Sequence, residues 1–150
     1  MKIFIATDHA GFELKNALIT FLTEELSYEV VDCGAFSYDE NDDYPDFISV
    51  AISNLKTEGT DAKAILLGGS GQGEAILANR YSGIRAAVYY GGPDEIITLS
   101  REHNDTNVLS LGARFLDEET AKRAVELWLN TPFSSEERHE RRISKIDSGV

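Results

Sequence analysis

Short apolar runs rich in β-branched residues alternate along this chain with longer stretches of helical period, and that alternation constrains the fold more than any other feature. The runs Lys2–Thr7, Glu29–Asp32, Lys63–Leu67, Ile84–Val88 and Val108–Gly112 read as strands. After the first, Leu14, Ala17, Leu18, Phe21 and Leu22 repeat at helical spacing and predict an amphipathic helix over Phe12–Leu26. Asp43-Tyr44-Pro45-Asp46 reads as a helix start with Pro45 in its first turn, and the apolar stripe continues through Ile48, Ala51, Ile52 and Leu55. Further helices are predicted over Gly73–Tyr81, Asp94–Asn104 and Asp117–Leu129. Strands that alternate with helices form βαβ units, so the expected class is α/β: a Rossmann-like three-layer α/β/α domain on a five-stranded parallel sheet. Residues 1–132 would make this domain. Residues 133–150, polar and charged after Pro132, read as its C-terminal helical tail.

Open parallel sheets bind ligands beyond the carboxyl ends of their strands. Those positions here are Asp8-His9, Gly34 to Tyr44, Gly68 to Glu74, Tyr89 to Pro93 and Ala113-Arg114, and they hold most of the chemically interesting side chains. Gly68, Gly69, Gly71 and Gly73 leave backbone N–H groups clear to face a ligand, and such a loop suits negative charge. It lacks the Lys-Ser/Thr ending of a P-loop and follows the third strand, where a dinucleotide fingerprint would follow the first. Glu74 stands where the loop becomes a helix. By position alone it serves equally as a first-turn residue favoured by the helix dipole or as a base beside the bound ligand. Ser70 can hydrogen-bond that carboxylate or the substrate, or simply suit the turn.

The net charge of −12 argues against nucleic acid or an anionic membrane as partner. All eight arginines lie at or beyond Arg80, so positive charge for an anionic ligand must come from the second half of the chain. A single cysteine, Cys33, excludes an internal disulfide and a CxxC pair. With no apolar run near membrane-spanning length and no signal-peptide core at the start, a cytoplasmic protein is expected. His9, His103 and His139 form no HxH or HExxH pattern, and no metal is expected.

Five segments together carry a family resemblance: Asp8-His9-Ala10-Gly11-Phe12, Asp43-Tyr44-Pro45-Asp46, Gly69-Ser70-Gly71-Gln72-Gly73-Glu74, Ser100-Arg101-Glu102-His103-Asn104-Asp105 and Arg138-His139. In this order, over nearly the whole chain, the sequence resembles the type B ribose-5-phosphate isomerases and the related galactose-6-phosphate isomerase subunits. The resemblance implies cofactor-free aldose–ketose isomerisation of a sugar phosphate at the interface of a homodimer or tetramer. Much of the family has a cysteine base where this chain has Gly68, which closes a thiolate route. A second branch has Gly-Ser-Gly-x-Gly-Glu with the Glu as base, and Glu74 matches it.

From the resemblance, His103 would open the sugar ring, with Asn104 beside the reacting oxygens; Ser70, by its place in the turn, would hydrogen-bond the catalytic carboxylate or the substrate. Asp8 and His9 would hold sugar hydroxyls or the phosphate, Tyr44 would close over the sugar, and the amides of Gly69, Gly71 and Gly73 would receive the oxyanion. Arg114, Arg138 and Arg142 would grip the phosphate, for which guanidinium groups are well shaped. Without the resemblance, Glu136, Glu137 and Glu140 would make the tail a solvated, salt-bridged helix. With it, the tail is the segment expected to reach a second subunit. The expected substrate is ribose 5-phosphate, with an aldohexose 6-phosphate as rival and a non-catalytic sugar-phosphate sensor as the reading from another class.

Overall fold

The apolar runs pair as five parallel strands in a computed structural model that describes residues 1–149. The strands β1 (Lys2–Thr7), β2 (Glu29–Asp32), β3 (Ala62–Gly68), β4 (Ala86–Tyr89) and β5 (Val108–Gly112) lie in the order β2-β1-β3-β5-β4. Ile5 stands beside Ile65, Ile65 beside Leu109, and Gly68 beside Gly112. The register therefore brings the carboxyl ends of β1, β3 and β5 level, at the middle of the sheet. Because β3 and β5 are covered on both faces, they are apolar at nearly every position rather than alternating, Lys63 and Ser110 being the exceptions.

Successive strand residues point to opposite faces. On one face Ile3, Ile5, Ile65, Leu67, Leu109 and Leu111 pack with Leu18, Phe21 and Leu22, with Ile97, and with Ala121, Ala124, Val125 and Trp128. These belong to α1 (Phe12–Thr20) with its continuation, α4 (Glu95–Asn104) and α5 (Glu118–Asn130). On the other, Phe4, Ala6, Ala64, Leu66 and Val108 meet Ile48, Ala51, Ile52 and Leu55 of α2 (Tyr44–Glu58) and Ala78 of α3 (Gln72–Ala78). The three-layer α/β/α arrangement is the one expected from the sequence.

Local departures have local causes. The first helix does not run uniformly to Leu26: it widens into a π-helical turn at Phe21–Glu25, closed by the Leu26 N–H donating to the Phe21 carbonyl. The third helix ends at Ala78 rather than Tyr81, because Asn79 turns to bond Ala86 through both its amide oxygen and nitrogen. The fourth strand starts at Ala86 rather than Ile84. Ile84 is buried but belongs to the incoming turn, and Asn107 Oδ1 takes the Arg85 N–H in place of a ladder partner.

The tail forms α6 (Glu137–Asp147). It rests on the end of α4, where His139 is buried and stacks on His103 with ring centroids 4.2 Å apart. Arg85 ties Asp105 to this helix through Asp147. His139 is the one α6 residue buried in the chain.

Candidate active site

The turn after β3 is fixed before any ligand arrives. Beyond β5, the Ala113 and Arg114 N–H groups donate to the Gly68 and Gly69 carbonyls, and Ser110 Oγ donates to the Gly71 carbonyl at 2.7 Å. Gly71 has φ +75° and sits against the Leu111 backbone, a left-handed conformation in a gap where a Cβ would crowd main chain. From this anchored turn α3 starts, and its first turn carries Glu74 inward to 4% exposure. A Cβ placed on Gly68 would overlap the Glu74 carboxylate. The carboxylate thus occupies the space that a side chain at position 68 would need. Burial, with a smaller contribution from the Asp8 charge, raises the Glu74 pKa above its ordinary value. A carboxylate made more basic in this way is better suited to take a proton from carbon.

A cleft of about 400 Å³ opens over Glu74, lined also by Asp8, His9, Tyr44, Ser70, Arg114 and Phe115. Asp8 is buried and accepts the Ala10 N–H at 3.0 Å, capping the short turn that swings His9 over the strand ends. Tyr44, the first residue of α2, lies against Gly73 so closely that a Cβ there would strike its ring. Arg114 packs across Gly69 and has no carboxylate within ion-pair range among the described residues. Its guanidinium faces the glycine turn. Ser70 is exposed, and its Oγ accepts the Gln72 N–H at 3.4 Å rather than bonding Glu74.

His9 is held from the side. Its own N–H and its Nδ1 both meet Asp42 Oδ1, at 3.1 and 2.7 Å, and this pairing raises the His9 pKa. Asp8, His9 and Asp42 each bring a potential metal-ligand atom within 4.8 Å of the others. Nδ1 and Oδ1 engage each other as a hydrogen-bonded pair beside the capping Asp8.

The remaining sequence-predicted residues lie elsewhere. His103 and Asn104 end α4, directly before β5, and so sit at the amino end of the sheet together with the α6 residues Arg138 and Arg142. The five residues of β5, about 16 Å of rise, separate them from the Gly68 turn within one chain. Asn104 lines a second hollow of about 400 Å³ with Tyr81, Arg85, Ala86 and Ile146. Arg138 pairs with Glu136 at 2.8 Å, and Arg141 reaches Glu137 at 4.0 Å, so part of the tail does behave as a salt-bridged surface helix. Arg142 has no such partner among the described residues. Sequence reasoning passed over Asp42, Phe115 and Lys15. Asp42 is one of several acids in an irregular loop, and no periodicity distinguishes it.

A buried carboxylate of raised pKa against a glycine turn, with a histidine and an arginine that has no carboxylate partner among the described residues across a small cleft at the strand ends, defines an α/β protein equipped to take a small anion. Comparison makes the class specific: residues 3–146 match the Ribose/Galactose Isomerase family, and the chain belongs to it. Ribose-5-phosphate isomerase B of Mycolicibacterium paratuberculosis is 41% identical over 143 residues, covering 95% of this chain and 87% of the relative. The solved structure of a ribose 5-phosphate isomerase from Thermotoga maritima superposes with a TM-score of 0.89 at 42% identity, over 98% of this chain and 97% of that one. Ribose-5-phosphate isomerase B from Mycoplasma genitalium, solved with bound ribulose-5-phosphate, gives 0.91 at 35% identity, over 99% and 95%. No helix is long and apolar enough among the described residues to cross a membrane.

Proposed function

We propose that this protein interconverts ribose 5-phosphate and ribulose 5-phosphate through an enediolate, with Glu74 as the base. The observation that carries the reading is the fit between Gly68 and Glu74: the chain lacks a thiol at the end of β3 and fills that space with a buried carboxylate of raised pKa. The relatives named as ribose-5-phosphate isomerase B support the substrate.

Glu74 takes the proton from C2 of the open-chain aldose, the electron pair forms the C1–C2 double bond, and the negative charge collects on O1. The amides of Gly69, Gly71 and Gly73 surround that oxyanion, each such donor contributing about 3 kcal/mol to the transition state. The hydroxyl proton passes from O2 to O1, with Ser70 and Asn104 as hydrogen-bonding neighbours, and Glu74 returns its proton to C1 to give the ketose. His103 acts earlier, moving a proton to the ring oxygen while the anomeric hydroxyl loses one. Asp8 and Tyr44 hold the sugar, and His9 with Arg114, Arg138 and Arg142 holds the phosphate.

Because His103, Asn104, Arg138 and Arg142 stand at the wrong end of their own sheet to meet Glu74, they serve the cleft of a second copy in this reading. A tail helix that buries a single residue in its own chain suits that arrangement. The domain thus comprises residues 1–132, and the tail 133–150, of which Val150 lies outside the described residues, reaches across a dimer. A coupled assay of the purified protein on ribose 5-phosphate and on six-carbon aldose 6-phosphates tests the function. Turnover of the pentose phosphate in preference is expected; turnover of none of them would overturn the enzyme reading.

A further inference from the structure

Asp42 belongs to no motif of the chain, yet its side chain is 8% exposed and holds His9 twice. Its Oδ1 receives the His9 N–H and faces Nδ1, while Oδ2 is buried with no hydrogen-bond partner among the described residues. A buried carboxylate with one oxygen unsatisfied is costly to hold in place and is compensated best by a full positive charge on its neighbour. The pairing also fixes the imidazole tautomer: with Nδ1–H given to Asp42, Nε2 is the ring nitrogen left to serve the cleft that His9 lines with Arg114.

We propose that Asp42 is a positioning residue that holds His9 as an imidazolium, so that its Nε2–H and Arg114 together present two positive charges to the anionic end of the substrate. This rests on the sugar-phosphate reading above, although the dyad itself can be measured without it. The groups that face His9 are Asp8 from its own strand end, Asp42 from the loop before α2, Arg114 from the loop after β5, and Tyr38, whose ring meets the imidazole edge-on at 6.1 Å. Glu13 of α1 shares the adjoining hollow. In the two-chain arrangement Arg138 and Arg142 of a second copy add positive charge on the cleft side. The acids favour the charged imidazole and the arginines oppose it, so the state of His9 above neutral pH depends on Asp42. Asp42 adds this charge to the cleft without exposing a carboxylate to the ligand.

The test uses Asp42→Asn, which keeps a hydrogen-bond acceptor for Nδ1–H and removes the charge. In the full-length protein with 15N-labelled imidazoles, His9 is expected to lose its proton at lower pH in the variant than in the wild type, because the Asp42 charge that favours the imidazolium is gone. Inorganic phosphate, used as the probe, should bind several-fold more weakly to the variant at pH 8 and nearly equally at pH 5.5; the KM for ribose 5-phosphate should follow the same pH pattern. Asp42→Glu should restore part of the shift. In a His9→Gln background, Asp42→Asn should leave phosphate binding unaltered at both pH values. An unchanged His9 titration would overturn the proposal whatever the activity, and so would equal weakening of phosphate binding at both pH values. An inactive wild-type protein with the His9 shift intact would instead count against the isomerase reading alone.

Discussion

Gly68 and Glu74 show what one residue can decide. Four glycines in one window were legible as a turn between β3 and α3, and Glu74 as the carboxylate at its end, but their mutual dependence was not. Nothing in the spacing says that a side chain at 68 and the carboxylate of 74 compete for one volume; only the turn geometry set by Gly71 brings them together. Gly68→Ala should therefore displace the Glu74 carboxylate and lower kcat by about 100-fold, as misplacements of about 1 Å commonly do, with little loss of Tm. Wild-type kcat in this variant would show that Glu74 does not need the space. Asp42 was illegible for a different reason: it acts through a contact across thirty-three residues, from a loop without periodicity.

Elements were more legible than contacts, because period and turn chemistry are local while burial is not. The α1 stripe predicted its buried face, but its buried lysine could not be read from hydropathy. Lys15 is fully buried, with its ammonium 2.7 Å from both oxygens of Asp32 and from the Ala35 carbonyl. It thereby ties α1 to the end of β2. Asp32→Ala should leave that ammonium without its counter-charge and reduce unfolding free energy by about 3 kcal/mol in urea denaturation; a change under about 1 kcal/mol would mean that solvent or the carbonyl suffices. The contact between α4 and α6 carries a pH signature. Burial, with help from the charges of His103, Arg138 and Arg142, lowers the His139 pKa below the ordinary histidine value. The unfolded chain then binds a proton more readily than the folded one. The contribution of this contact is complete above the ordinary value of about 6.5 and is lost as pH falls below it. Between pH 7.5 and 5 the wild-type Tm should fall more than that of His139→Phe, which keeps a stacking ring without a titrating group. Parallel curves would remove His139 from the account of acid sensitivity.

At the scale of the whole molecule, the sheet rule located the cleft beyond the carboxyl ends, whereas the resemblance also named residues that the chain holds at the opposite end of the sheet. Asp8, Tyr44, Gly69 to Glu74 and Arg114 converge at the carboxyl ends because the parallel register makes those ends level. His103, Asn104, Arg138 and Arg142 do not converge with them, since α4 runs back to the amino end before β5 begins. Sequence order alone could not reveal this, because it carries no information on which copy of a chain a residue serves. The acidic balance also gains a location: the arginines of the second half divide between the cleft, the tail, and structural ties such as Arg85 and Arg101 to Asp105. In the proposed dimer, Glu74 of one chain and His103 of another complete a single site. The most direct measurement of this arrangement is complementation between Glu74→Gln and His103→Ala, each purified alone and then co-refolded at equal concentration and assayed on ribose 5-phosphate. Each variant alone should be nearly inactive, whereas the mixture should recover about a quarter of wild-type activity, since half the dimers are mixed and each carries one intact site. A mixture no more active than the sum of its parts would contradict the two-chain site.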